Sequence, residues 1–402
     1  MISSQEATQI ISTHLFSFPV ESVALAEARG QVLRETVRAD RDFPPFHRVT
    51  MDGIAYDFDQ LQGDNPEIVI EGMQLAGEPQ KSLTQPGRGL EVMTGAVLPE
   101  GTNTVTPYED IDVQKEKGRM IATLKKTPQK RGVNVHPKGY DQSQNDALIS
   151  AGTRLGSAHI AVAASVGKVQ VQVTQRPNVA IVSTGDELVG IDKQPEPYQI
   201  RQSNNYALRA ALVTHQVSAS FYHLSDSLEK TTTGLAEIMK KHPVIILSGG
   251  VSRGKRDYVP DALEALKVKK LFHRVKQRPG KPFWFGVKES DNAVFALPGN
   301  PVSTFMCFHR YFVPWLERSV GLAEKPTQWA MLSDHMKFEP ELTYFPTVVA
   351  QADKNGQFLA EPIEGHGSGD FANLLRCNGF LELPSDRSHF RQGEVFPFIP
   401  FS

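Results

Sequence analysis

Residues 244–263, VIILSGGVSRGKRDYVPDAL, decide the fold class. An apolar run of strand length stops at the paired glycines Gly249 and Gly250, and a helical pattern follows a polar loop. The same strand, loop and helix order recurs between Pro177 and Val320. Such alternation predicts right-handed βαβ units on a largely parallel sheet.

This stretch predicts four strands and four helices in alternation. The strands are NVAIVST, SASFYHL, VIILSGG and AVFALPG. The helices are NYALRAALVTH, SLEKTTTGLAEIMKK, YVPDALEAL and PVSTFMCFHRYFVPWLERSV. In such sheets ligands bind beyond the carboxyl ends of the strands.

The sequence on either side has a different character. Residues 1–40 predict a helix and a short strand, and six apolar residues are spaced for a buried helical face: Ile10, Ile11, Leu15, Val23, Leu25 and Ala28. Residues 42–134 predict a small β domain with strands EIVIEGM, LEVMTG and RMIATL. Residues 151–167 predict a turn and a closely packed helix of small residues, and short strands return from about Lys325.

Composition narrows the classes of partner. A chain of 402 residues has room for two to four domains, and its net charge of −2 gives no overall basic field for nucleic acid. Cys307 and Cys377 cannot form a disulfide framework, which favours a reducing cytoplasm. The N-terminus has no export signal, and no segment reaches the roughly 18 apolar residues of a membrane span. We therefore expect a small-molecule partner, no nucleic acid and no membrane.

Four loops follow the predicted strands and carry small and polar residues. They are STGDEL (183–188), SDS (225–227), SGGVSRGKRD (248–257) and LPGNPVS (297–303). Because the carboxyl ends of parallel strands lie at one edge of a sheet, the four loops are predicted to form one site.

The third loop resembles a nucleotide-binding P-loop only in part. Gly249, Gly254 and Lys255 fit G-x-x-x-x-G-K, but Arg256 stands where a P-loop has the serine or threonine that ligates magnesium. The glycines still allow backbone N–H groups to form an anion nest. Asp257 is predicted to be either a helix cap or a metal ligand.

Two further segments suit anions, and each has a plain structural alternative. LPGNPVS places Asn300 at a helix cap, Pro301 at the first helical position and Ser303 in the first turn, which either binds an anion or only caps the helix. VKQRPGKPFWFG (275–286) carries Lys276, Arg278 and Lys281 around a Pro-Gly turn. These cations either pair with an oxyanion or lie on a solvated hairpin.

The carboxylates near these loops are candidate ligands of a hard cation, which prefers a few carboxylates together with substrate phosphates. The candidates are Asp52, Asp141, Asp186, Glu187, Asp226 and Asp257. Each one alone also suits a turn or a cap, and MDGIA (51–55) fits an ordinary hairpin turn. The histidines lack metal-site spacing and no G-x-S-x-G elbow occurs, so covalent catalysis is not supported.

Six segments taken in order carry a family resemblance. FPPFHRVTMDGIA, VMTGAVLPEG, STGDEL, SGGVSRGKRDYV, RPGKPFWFG and LPGNPVST resemble the motifs of the MoeA family of molybdopterin molybdenumtransferases, which includes the E domain of gephyrin. The resemblance runs from about residue 1 to residue 320.

The resemblance implies a homodimer of multidomain α/β plus β subunits. A discontinuous N-terminal dimerisation domain of helices and strands comprises residues 1–42 and 138–176, and a small β domain, 43–137, is inserted in it. A central three-layer α/β domain with a mostly parallel sheet, 177–324, would bind molybdopterin, and a C-terminal β-barrel-like domain, 325–402, would end the chain. The active cleft would be shared between subunits, so that Asp52 and Thr94 of one reach the four loops of the other.

The resemblance also implies the chemistry: insertion of molybdate into adenylylated molybdopterin, with magnesium-dependent release of AMP. The catalytic residues would be Asp52, Asp226, Asp257 and Lys281. The metal ligands would be Asp226, Asp257 and Glu187. Substrate would be bound by Thr94, Ser183, Thr184, Gly185, Gly249, Gly250, Ser252, Arg278, Pro298, Gly299, Asn300, Pro301 and Ser303. A molybdopterin adenylyltransferase and recipient apo-molybdoenzymes would be partners.

Two other functions stay open at this point. The GSGDFANLL segment has Ala372 and Asn373 near a position where relatives have a serine that helps to bind molybdate, so a non-catalytic carrier of molybdopterin or another pterin is an alternative. A scaffold is a third hypothesis, since the E domain of gephyrin also clusters receptors.

Overall fold

The computed structural model describes residues 1–63, 65–252, 257–289 and 291–401. The chain forms two compact units. Unit 1 comprises Met1–Arg34, Gly152–Gly156 and Gln170–Ser402, and unit 2 comprises Glu35–Ala151 and Ser157–Val169. No helix within the described ranges is both long and apolar enough to cross a bilayer.

The helices alternate with strands in the middle of the chain, as the sequence predicts. They are α1 (Ser4–Ser12), α2 (Ser157–Ser165), α3 (Ser203–Thr214), α4 (Leu228–Lys241), α5 (Val259–Ala265), α6 (Pro301–Cys307) and α7 (Val313–Ser319). The single long helix predicted from Pro301 is two helices, because a wider π-helical turn, Phe308–Phe312, joins α6 to α7.

The strands are numbered along the chain. They are β1 (Val20–Ala24), β2 (Val37–Arg38), β3 (Arg48–Val49), β4 (Gly53–Tyr56), β5 (Glu67–Gln74), β6 (Arg88–Val92), β7 (Thr104–Pro107), β8 (Ile111–Glu116), β9 (Arg119–Leu124), β10 (Val135–His136), β11 (Ala147–Ile149), β12 (Gln170–Thr174), β13 (Val179–Thr184), β14 (Leu188–Val189), β15 (Ile200–Arg201), β16 (Ala219–Leu224), β17 (Val244–Ser248), β18 (Lys269–His273), β19 (Gln277–Arg278), β20 (Trp284–Lys288), β21 (Asn292–Leu297), β22 (Trp329–Leu332), β23 (Met336–Lys337), β24 (Thr343–Tyr344), β25 (Thr347–Ala352), β26 (Phe358–Pro362), β27 (Gly379–Leu381), β28 (His389–Phe390) and β29 (Val395–Pro400).

The central sheet of unit 1 has six strands in the order β16-β13-β17-β21-β20-β18. The first four run parallel, which confirms the predicted βαβ alternation. The strands β13, β17 and β21 are buried along their whole length, as is usual when helices cover both faces of a parallel sheet. β20 is antiparallel to both β21 and β18, a reversal that the sequence pattern did not predict.

Helices cover both faces of this sheet and give three layers. Alternate residues of β13 face opposite sides: Ile181 packs in one core with Leu208 of α3 and Met306 of α6. Val182 packs in the other core, with Leu235 of α4 and residues of α5. These packed layers hold the carboxyl ends of the strands in place.

The remainder of unit 1 comes from both ends of the chain. At the N-terminus β1 pairs antiparallel with β12, and at the C-terminus β22, β26, β25, β27 and β29 form a closed barrel. The barrel confirms the predicted C-terminal β architecture. The predicted helical face at Val23 and Leu25 is wrong, because Val23 lies in β1 and Leu25 in a short 3₁₀ turn, while Leu15 is exposed. Apolar residues spaced irregularly over a strand and a turn had matched the helical period by chance.

Unit 2 contains a six-stranded sheet in the order β7-β4-β6-β5-β9-β8, which confirms the predicted β segment. Helix α2 forms where the small residues predict it. The expected close packing of this helix is wrong, since only Ala163 is buried. The helix lies at the surface of this unit, so its small side chains cover little core.

Candidate active site

A cleft of about 1820 Å³ lies in unit 1 at the carboxyl ends of the parallel strands. Its lining includes these residues proposed for the site from sequence: Ser183, Thr184, Gly185, Glu187, Asp226, Gly249, Gly250, Ser252, Asp257, Arg278, Lys281, Pro298, Gly299, Asn300, Pro301 and Ser303. The structure therefore brings the four loops together. The candidates Asp186 and Lys276 do not line it. Since small-molecule sites commonly occupy about 300–1,000 Å³, the cleft has room for an extended ligand.

Two cations reach the cleft because of the reversed strand. The segment between β18 and β20 returns to the edge where the parallel strands end, and it is closed by hydrogen bonds from Arg274 N to Phe283 O (2.8 Å) and from Val275 N to Lys281 O (3.1 Å). The exposed Arg278 and Lys281 line the cleft, and the Arg278 guanidinium lies 5.9 Å from the ring centre of Phe338. Both side chains are thus placed to meet an anion in the cleft.

The glycine turn after β17 is shaped by its neighbours. Gly249 and Gly250 have φ of 100° and 69°, values that side-chain-bearing residues rarely adopt. A Cβ on Gly250 would lie 2.8 Å from Thr184 Oγ1, and a Cβ on Gly299 would lie 3.6 Å from Gly249 Cα. The turns after β13, β17 and β21 therefore pack closely, with backbone groups facing the cleft. The residues that decided the P-loop comparison, Gly254, Lys255 and Arg256, lie outside the described residues.

The carboxylates of the cleft are held by local hydrogen bonds. Ser252 Oγ donates to Asp257 Oδ2 at 2.6 Å, and the N-cap of α5 is Tyr258, so the interpretation of Asp257 as the helix cap is wrong. Asp226 and Asp186 are linked by two bonds: Asp186 N donates to Asp226 Oδ2 at 3.4 Å, and Asp226 N donates to Asp186 Oδ1 at 3.2 Å. The described residues contain no group of three or more His, Cys, Asp or Glu side chains that could hold a metal ion.

The turn before α6 matches the sequence in position but not in bonding. Asn300 occupies the N-cap position and Pro301 follows it, as predicted. The Asn300 side chain makes no capping bond; its Nδ2 donates to Ser368 Oγ at 2.7 Å. The predicted cap position is therefore confirmed, but the side-chain capping bond is absent, and Val302 N of the first turn donates instead to Ser368 O at 3.1 Å. Ser303 is buried in the first turn.

Two of the remaining site candidates, Asp52 and Thr94, lie together in unit 2. Thr94 donates to Asp52 Oδ1 from its backbone N at 2.6 Å and from Oγ1 at 2.7 Å. The backbone bond and then the hydroxyl bond lower the pKa of Asp52, because both stabilise the charged carboxylate. Asp52 is therefore a charged hydrogen-bond acceptor, and two hydrogen bonds from Thr94 fix its position in the turn between β3 and β4.

Comparison with known proteins covers nearly the whole chain. Profiles of the MoeA N-terminal region (domain I and II), a probable molybdopterin binding domain and the MoeA C-terminal region (domain IV) match residues 2–167, 180–318 and 330–401. A Synechocystis protein named molybdopterin molybdenumtransferase is 36% identical over 400 residues, which are 99% of this chain and 99% of that protein. The chain belongs to the MoeA family.

Other MoeA relatives extend the comparison. A molybdopterin molybdenumtransferase of Bacillus subtilis is 30% identical over 385 residues, 93% of this chain and 88% of that protein. The solved molybdopterin biosynthesis MoeA protein of Pyrococcus horikoshii has a TM-score of 0.84 and 27% identity, covering 100% of this chain and 99% of its own. The resemblance inferred from six motifs is confirmed, and it extends to the C-terminal region, which the motifs did not cover.

Sequence reasoning missed two asparagines of this MoeA cleft, both in the first turn of α3. Asn204 Nδ2 donates to Ser248 Oγ and Gly299 O, each at 2.8 Å. Asn205 is 1% exposed, and neither its Oδ1 nor its Nδ2 has a hydrogen-bond partner among the described residues. Thr184 Oγ1, 6% exposed, is likewise unpaired there. The sequence did contain an indication of these residues, because two adjacent asparagines begin a helix at the edge of the sheet where the carboxyl ends of the strands lie.

Proposed function

We propose that this protein is a molybdopterin molybdenumtransferase of molybdenum cofactor biosynthesis. It inserts molybdate into adenylylated molybdopterin and releases AMP. The observation that carries this proposal is the cleft in unit 1, where glycine turns, hydroxyls and two cations meet in a chain that matches named transferases over almost its full length.

The cleft suits substrates that are anions. Arg278 and Lys281 provide positive charge, and Ser303 provides a hydroxyl donor beside the glycine turns, while the Ser252 hydroxyl donates to Asp257. Hydrogen bonds from charged donors to phosphate are stronger than neutral ones. These groups would bind the phosphates of adenylylated molybdopterin and the incoming molybdate.

The donor set fits magnesium held partly by the substrate. Magnesium is usually bound by one or two protein carboxylates, with phosphates and water completing its ligands. Asp226, Asp257 and Glu187 line the cleft, and one or two of them would supply the protein ligands. The ion would neutralise negative charge that develops on the phosphate.

The chain itself would orient the hydrolysis of the phosphoanhydride. A water oxygen attacks the phosphorus of the AMP moiety and the bond to the bridging oxygen breaks, so AMP leaves and the pterin side keeps its phosphate. Asp257, restrained by Ser252, would accept a hydrogen bond from that water. Lys281 would stabilise the charge on the departing oxygen, so no covalent nucleophile is required.

We further propose the assembly that the family resemblance implies. Two copies would form a homodimer in the cytoplasm, with Asp52 and Thr94 of one subunit completing the cleft of the other. The four-domain division at residues 42, 137, 176 and 324 belongs to this proposal. A molybdopterin adenylyltransferase would supply the substrate, and apo-molybdoenzymes would receive the product.

A reconstitution tests the function. Purified protein is incubated with adenylylated molybdopterin, molybdate and magnesium, then AMP is quantified and an apo-molybdoenzyme is added. We expect AMP release and reactivation of the apoenzyme, both dependent on the protein. If no AMP is released and the apoenzyme is not reactivated, the proposal is refuted. Pterin binding without AMP release would instead support a carrier.

A further inference from the structure

One side-chain amide connects three segments of the cleft floor. Asn204 is the second residue of α3, is half-buried and lines the cleft. Its Nδ2 lies 2.8 Å from Ser248 Oγ at the end of β17 and 2.8 Å from Gly299 O in the turn after β21. It also lies 3.3 Å from Thr304 Oγ1 in α6. This one nitrogen therefore joins α3 to both glycine turns and to α6.

The chemistry of the partners fixes the orientation of this amide. A carbonyl oxygen only accepts hydrogen bonds, so the reversed amide would place two acceptors, Asn204 Oδ1 and Gly299 O, against each other. Thr304 Oγ1 has two carbonyl acceptors for its one proton, Pro298 O at 2.5 Å and Asn300 O at 3.1 Å, which leaves its oxygen to accept from Asn204. An amide donor, and not merely a polar side chain, is what this position needs.

The two turns that Asn204 joins lie beyond the end of the strand ladder. The last backbone bond between them runs from Gly249 N to Leu297 O at 3.2 Å. Beyond this bond, the described residues show no further backbone hydrogen bond between the turns 249–250 and 298–300, which carry several of the proposed substrate contacts. The bonds from Asn204 to Ser248, directly before one turn, and to Gly299 in the other hold their separation.

We propose that Asn204 is a positioning residue that sets the spacing of the two glycine turns and thereby the affinity of the cleft for its phosphate-bearing substrate. The identity of that substrate rests on the proposed function. The positioning itself does not, because it follows from hydrogen bonds within unit 1.

Hydrogen exchange measured by mass spectrometry tests the positioning. Peptides covering residues 244–252 and 295–304 are compared in wild type, N204A, N204D and N292A. Asn292 is the matched control, since its Nδ2 also donates to two backbone acceptors, Met239 O at 2.9 Å and His242 O at 2.8 Å, but at the amino end of β21. We expect N204A to raise exchange in both peptides about 5- to 30-fold relative to the rest of the central sheet, the range that corresponds to losing one or two such bonds, and N292A to raise it in neither peptide relative to that sheet.

The N204D variant separates positioning from simple support of the helix. A carboxylate in the first turn of a helix is favourable to the helix dipole, so a purely helical role predicts normal exchange in N204D. A missing donor predicts faster exchange in both turns, as in N204A. This variant also carries the test if N204A does not fold. Unchanged exchange in both turns of the folded variants overturns the proposal.

Kinetics test the consequence for substrate. In the reconstituted reaction we expect N204A to raise KM for adenylylated molybdopterin about tenfold, the effect of losing about 1.4 kcal/mol of binding, with a smaller change in kcat. Faster exchange with an unaltered KM would overturn the link to affinity. A wild-type protein that releases no AMP would refute the proposed function, while the exchange data would still decide the role of Asn204.

Discussion

Replacing Asn205 with leucine is expected to stabilise this protein while weakening its activity. Asn205 lies on the buried stripe of α3 with Leu208 and Leu212, which pack in the core on one face of the central sheet. Its amide is removed from water without a hydrogen-bond partner among the described residues. Leucine has a similar volume and no polar atoms, so it suits this environment better than the native residue.

The size of the gain can be worked out from these contacts. A buried polar group without a partner costs about 1–3 kcal/mol, and leucine is also a better helix former than asparagine by about 0.5 kcal/mol. We therefore expect the free energy of unfolding to rise by about 1–3 kcal/mol, and the melting temperature of a chain of this size to rise by about 1–2 °C for each kcal/mol. Because the residue lines the cleft, we expect AMP release to fall, a common cost of relieving an unfavourable polar group in a site.

Thermal melts and the AMP-release assay measure both effects. Asn292→Leu is the control, because Asn292 is 3% exposed but its amide is paired with two carbonyls, so the same substitution there should lower the melting temperature. If N205L melts below wild type, as N292L should, the amide of Asn205 is satisfied and the reasoning fails. A stabilised variant with full activity would remove only the link to the site.

The remaining predictions concern charge. Asp257→Asn should melt like wild type, because Asp257 is not the cap of α5, while AMP release falls at least about tenfold; a matching loss of stability would contradict this. Lys281→Ala should raise KM about tenfold or more through loss of a charged donor, whereas an unchanged KM places Lys281 away from substrate. Thr94→Val should bring the pKa of Asp52 nearer its usual value. In urea titrations the variant should therefore be less stable than wild type at neutral pH, and the difference should vanish as pH falls through the folded pKa of Asp52. A difference independent of pH would refute this. Burial lowers the pKa of His309 to about 3, so the unfolded protein gains a proton below about pH 6.5 that the folded protein excludes. The free energy of unfolding, measured by urea titration, should therefore fall by about 1.4 kcal/mol per pH unit between about pH 6.5 and 3, and His309→Phe should remove that slope.

Much of the central architecture could be predicted because its signals are local. The buried strands β13, β17 and β21 read as uninterrupted apolar runs, and each is followed by small residues where the chain must turn. Parallel pairing then requires their loops to share an edge, so the cleft follows from the pattern without any knowledge of contacts.

The errors arose where the outcome depends on distant partners. Asn300 has the sequence of a helix cap, yet its amide bonds Ser368, which is far along the chain. Asn204 and Asn205 have identical side chains in one helical turn, but one is paired three ways and the other not at all among the described residues. Local spacing cannot report such differences, because they are decided by tertiary packing.

The reversed strand β20 has a consequence for how this protein can change. The loop that carries Arg278 and Lys281 is fastened at its base by backbone bonds and beside Arg278 by pairing with β24, and both cations line the cleft without forming part of the parallel core. Natural variation or deliberate substitution of these two cations would therefore alter which oxyanion is preferred while the parallel sheet stays intact.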